Sequence, residues 1–122
     1  MSFKVLEVHR RSEEELLNDE WLLLENPTDG HLSTRGCRVM VHKPKSPKGV
    51  EAAKLDPGFT VPPGGKLRLV CGRPGTKAHG QAPQDGVETY YLLMKVPLLR
   101  GPGGVVKIVK GQLVLAEAEY GA

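Results

Sequence analysis

A chain of 122 residues with 39 % apolar and 25 % charged side chains has the length of one domain and the composition of a globular protein, and a domain of this size buries enough surface to fold without metal or disulfide staples. Its longest apolar runs, Trp21 to Leu24 and Tyr90 to Met94, are far too short to span a bilayer, which excludes a helical membrane protein. The net charge of +3 is unevenly spread: residues 1–30 carry three basic and eight acidic side chains, residues 31–77 carry ten basic and two acidic, and residues 78–122 carry four of each.

In chain order, Phe3 to Val8 reads as a first strand. The start Met1-Ser2-Phe3-Lys4 runs straight into it without a basic, apolar and small-residue leader, so a cytoplasmic location is expected. Ser12-Glu13-Glu14-Glu15 has the Ser-x-x-Glu spacing in which a hydroxyl and a carboxylate satisfy the first backbone donors of a helix, and only a turn or two fits before Glu20. Trp21 to Glu25 is a strand closed by the turn Asn26-Pro27-Thr28-Asp29-Gly30. Cys37, Val39 and Val41 alternate with Arg38, Met40 and His42 to give the next strand, after which Lys43-Pro44-Lys45-Ser46-Pro47-Lys48-Gly49 denies a ladder its donors and makes a cationic loop.

Phe59 to Val61 is a short strand, turned by Pro62-Pro63-Gly64-Gly65 into Lys66 to Cys71. There Leu67, Leu69 and Cys71 share one face, while Lys66 and Arg68 share the other. The stretch from Gly72 to Gly86 lacks an apolar period and reads as a mobile surface loop. Glu88 to Val96 is a strand, and Val105 to Val109 with Gln112 to Ala118 is a hairpin turned at Lys110-Gly111. Short β-type runs with turns every ten or so residues are the rhythm of a sandwich or barrel, with a compact sandwich the default: the expectation is all-β, one domain over residues 1–122, with at most one short helical turn near residues 12–18.

Several of these segments resemble a known family. Glu20-Trp21, Asn26-Pro27, Leu32-Ser33, Gly36, Pro63-Gly64-Gly65 and Tyr120-Gly121 stand in the order, and at similar spacing, seen in bacterial lamin-tail domains, so the similarity covers nearly the whole chain. The family's second tryptophan is replaced by Cys37, Thr34-Arg35 are extra, and Leu99-Arg100-Gly101-Pro102-Gly103-Gly104 stands where Trp-Asn-x-x-Gly-Asp is common, which marks a divergent bacterial-type member. The resemblance implies an immunoglobulin-like β-sandwich and a non-enzymatic module that binds proteins or itself, or, in some members, nucleic acid. Fold alone assigns no activity.

Residue chemistry points the same way. Gly72-Arg73-Pro74-Gly75-Thr76-Lys77 lacks phosphate-loop spacing, His9, His31, His42 and His79 lack zinc spacing, and no serine has triad partners, so neither enzyme activity, cofactor, metal nor small-molecule substrate is expected. Cys37 and Cys71 are expected as buried, reduced thiols. Trp21 is expected inside, against Leu69.

Two partner surfaces are expected. Trp21-Leu22-Leu23-Leu24 and the run from Tyr90 are apolar on both faces, so Leu22, Leu24, Tyr91 and Leu93 are candidates for an outer face covered by the segment from Glu13 to Leu17 or by a second copy in a homodimer. The second reading is nucleic acid, held weakly and without sequence preference by the basic segment 31–77 through Arg35, Arg38, Lys43, Lys45, Lys48, Lys66, Arg68 and Arg73.

Overall fold

The computed structural model describes residues 2–12, 15–43, 46, 48–55, 58–74, 78–99 and 101–121. The chain is an all-β, immunoglobulin-like sandwich. Among the described residues ten strands run β1 (Lys4–His9), β2 (Trp21–Glu25), β3 (Leu32–Ser33), β4 (Cys37–His42), β5 (Gly49–Leu55), β6 (Thr60–Val61), β7 (Lys66–Val70), β8 (Glu88–Tyr91), β9 (Gly103–Lys110) and β10 (Leu113–Gly121). Leu17–Asp19 is the one helical turn among the described residues.

One sheet has the order β1-β2-β7-β8 and the other β10-β9-β4-β5, with β3-β6 as a small third pair. All pairings are antiparallel except β7 with β8, so the chain must cross over between them, and residues 71–87 make that crossover. Leu22, Leu24, Leu67 and Leu69 of the first sheet meet Val39, Leu55, Val106 and Ile108 of the second in one core. The hairpin β9–β10 turns at Gly111, whose φ of 61° suits glycine alone without strain.

The two turns read from Asn26-Pro27 and Pro63-Gly64-Gly65 are one structural node. Asn26 donates its backbone N–H to Gly65 and accepts from the Gly64 N–H, while its buried amide donates to the carbonyls of Gly30 and Val61 and accepts from Thr28. A buried amide with all its hydrogen bonds made fixes the relation of the two turns.

Three details differ from the sequence reading. β5 stands where no strand is expected, because Glu51-Ala52-Ala53-Lys54 has little β propensity and pairing with β4 overrides it. β8 stops at Tyr91 instead of reaching Val96, as Leu93 turns to φ 60°. The phase of β2 is the reverse of the expected one: Trp21 lies opposite Val70 and packs with Val70 and Ala82 on the outer face, while Leu22 and Leu24 fill the core.

Candidate binding surfaces

The outer face of the first sheet is built around Trp21. From β1, the His9 ring stacks on the indole with centroids 4.9 Å apart and planes 9° from parallel. From β7, the Arg68 guanidinium lies 4.5 Å from the indole centroid. Arg68 is only 3 % exposed and makes a bidentate pair with Asp85, both N···O distances being 2.8 Å. This pair holds the Asp85 carboxyl well below its usual range, with the Val87 backbone N–H adding to the effect.

Asp85 and Ala82 belong to the crossover, which therefore covers the outer face of β2 and β7. Its first part is clasped by Asn18, whose buried amide donates to the carbonyls of Arg73 and Gly80 and accepts from the Gly72 N–H. The crossover read as mobile is thus pinned at both ends of its described part. Three expected surface residues are thus withdrawn from solvent: Arg68 by the crossover, as an internal ion-pair partner, and Leu22 and Leu24 by the opposite sheet, as core residues. None of the three can face a partner.

The remaining basic candidates do not share one element. Arg35, Lys43, Lys48, Lys66 and Arg73 are exposed, Arg38 lies 3.6 Å from Glu51, and Lys45 lies outside the described residues. Tyr91 packs against the Trp21 cluster, half-buried.

Leu93 has a different setting. The segment after β8 is tied to the end of β7 by three backbone bonds, Leu92 N–H to Val70 O, Leu93 N–H to Gly72 O and Met94 N–H to Cys71 O, at 2.8, 3.1 and 2.9 Å. Leu92 and Met94 are buried, and between them Leu93 stands 54 % exposed at positive φ. Val96 is exposed three residues on.

Glu20, read as part of a motif, is a buried brace: Oε2 accepts the N–H groups of Leu98 at 2.7 Å and Leu99 at 3.1 Å. The link it braces forms one wall of an apolar cavity of about 480 Å³ at the β4–β5 end of the sandwich, where Leu98 and the 101–103 turn face Val41, Val50 and Ala52, and Tyr120 and the exposed Lys43 complete the lining. Sequence reasoning missed this site. Val41 and Val50 flank the cationic loop, and two valines beside a break in regular structure were the available signal.

Cys37 and Cys71 are buried thiols not joined in a disulfide; burial pushes the Cys37 thiol up, and the Cys71 Sγ donates to the Val96 carbonyl. Among the described residues no group of three or more His, Cys, Asp or Glu side chains is placed to hold a metal ion, and no helix is long and apolar enough to cross a membrane. No protein-family model and no curated protein matches this chain.

Proposed function

We propose that the domain is a non-catalytic interaction and assembly module, of the kind the lamin-tail resemblance implies, which meets protein partners and further copies of itself through Leu93. The observation that carries this reading is the coincidence of positive φ, exposure and rigid flanks at one leucine. A non-glycine residue held at positive φ costs on the order of 1–3 kcal/mol and persists only where its surroundings over-determine it, a condition found at clamps and switch regions. Here two buried neighbours and three backbone bonds impose the conformation, and its product is an apolar side chain presented to solvent from a fixed backbone.

Strand addition is the less suitable route. β1, β8, β10 and β5 end the two larger sheets; β1, β10 and β5 each carry an irregularity, at Leu6, Leu115 and Ala52, that spoils the edge as a template, and β8 is only four residues long. A cytoplasmic setting, in which Cys37 and Cys71 persist as thiols, belongs to the same reading. Nucleic acid is the weaker alternative, because Arg68 is withdrawn into the Trp21 stack and Arg38 is offset by Glu51.

Sedimentation velocity tests the proposal. The wild type should self-associate at micromolar concentration, and Leu93→Gly, which removes the side chain and the strain together, should give a stable monomer. A wild type that stays monomeric to hundreds of micromolar, and in which a photo-crosslinking residue at position 93 captures no discrete protein in its native cells, would overturn it.

A further inference from the structure

The open end of the sandwich carries an inference independent of Leu93. Val50 lies opposite Val41 on β4, and Val41 packs against the core, so by register Val50 belongs to the inward face. It is nevertheless 66 % exposed, because the cavity lies in front of it. A volume of about 480 Å³ lies within the range of small-molecule sites, which are mostly apolar with few polar groups.

The charge at this site has one sign. Lys43 is the only titratable side chain besides that of Tyr120 among the described residues that line the cavity, and no described carboxylate lines it. Lys48 precedes Val50 by two residues and adds a second exposed positive charge at the same strand end. A lysine can lay its methylene stem along an apolar wall and keep its ammonium at the rim, where it would meet an anionic head. An extended peptide is the poorer occupant, since the irregularity at Ala52 falls in the middle of β5 and breaks the edge a strand would need.

We propose that this cavity binds a small aliphatic carboxylate, its chain against Val41, Val50, Ala52 and Leu98 and its head at the Lys43 ammonium. Binding is then set by chain length and by head-group charge, two variables that are separately testable.

The probes are octanoate, decanoate and dodecanoate, with decanol and decyltrimethylammonium as neutral and cationic controls, followed by calorimetry and by amide chemical shifts of the full chain. Each added methylene should tighten binding about fourfold, the equivalent of about 0.8 kcal/mol, until the cavity is full. Shifts should concentrate in β4, β5 and residues 98–103. Lys43→Glu should weaken decanoate by about fivefold or more while leaving decanol unchanged, because only the ion pair is altered. Val50→Asp should weaken both. Lys43 and Val50 are exposed, so both variants should fold, and Lys43→Gln and Val50→Ala supply milder versions if either does not. The proposal falls if decanoate and decyltrimethylammonium bind alike, if the shifts lie elsewhere, if no carboxylate binds at millimolar concentration, or if an acidic peptide occupies the cavity and decanoate does not.

Discussion

The outer face at Trp21 and the open end at Val50 both depart from a simple sandwich, in which each strand shows one apolar and one wet face. At Trp21 an apolar outer face is covered from within the chain, by Ala82 and by Asp85 reaching Arg68. At Val50 an inward-facing residue is left 66 % exposed, beside a cavity rather than against the opposite sheet. The difference shows that exposure in this fold follows the path of the long links: Ala82 and Asp85 of one link close one face, while Leu98 and residues 101–103 of another stand off from β4 and β5 and leave the other end open.

The comparison breaks first at Trp21. If the covered face is a second core, Trp21→Ala should cost on the order of 3–5 kcal/mol in urea unfolding, as for a large buried aromatic. A cost below about 1 kcal/mol, the range of ordinary surface changes, would mean that the cover contributes no packing. The ion pair that ties that cover to β7 gives a pH test. In the folded chain the Asp85 carboxyl titrates well below its usual 3.8, chiefly because Arg68 hydrogen-bonds it. The unfolded chain therefore takes up a proton first as pH falls, and the stabilisation, complete above the usual value, is lost progressively below it. Between about pH 4 and 2 the wild type should lose stability more steeply than Asp85→Asn. Parallel slopes would show that the pair does not form in solution.

Much of this arrangement was legible in the sequence, and the failures share a cause. The strand Lys66 to Val70 alternates between apolar and charged residues, so its phase was correctly read, with Leu67 and Leu69 inward. Trp21-Leu22-Leu23-Leu24 has no such contrast, and a period of two has no phase when both sets are apolar; the tryptophan suggested the core, but pairing with β7 puts Leu22 and Leu24 there. Arg68 was placed on the right face but in the wrong medium, because alternation tells which side a residue points to and not what a loop from residue 85 lays over it. The cavity was invisible for a related reason. It exists only through the separation of Leu98 and the 101–103 turn from β4 and β5, segments distant in sequence, and the two valines beside the cationic loop mark its place without marking its depth.

A smaller and opposite effect is expected at Leu93. Relief of positive-φ strain is worth on the order of 1–2 kcal/mol, and the added freedom of a glycine in the unfolded chain costs about 0.5–1 kcal/mol. Leu93→Gly should therefore be neutral or more stable by about 0.5 kcal/mol, although it deletes an aliphatic side chain. Leu93→Ala, which shortens the side chain but keeps the strained backbone, should show no gain. If glycine instead destabilises the protein by more than about 1 kcal/mol, the leucine packs against its own domain and is not held out for another.

The smallest expected effect discriminates most sharply between the two regions. Leu24 and Val50 both sit by register on inward faces, one paired with Leu67 and the other with Val41. Leu24→Ala should cost about 2–5 kcal/mol, because the leucine is fully buried and the hole it leaves relaxes only partly. Val50→Ala should change stability by no more than about 0.5 kcal/mol, because the valine is 66 % exposed and borders a cavity. Addition of decanoate should separate them further: a ligand that binds only the folded state raises its stability in proportion to the logarithm of its concentration over Kd, so the wild type should gain and Val50→Asp should not. A Val50→Ala cost close to that of Leu24→Ala would show that the end of the sandwich closes on itself in solution, and the cavity would then have to be opened by whatever binds there.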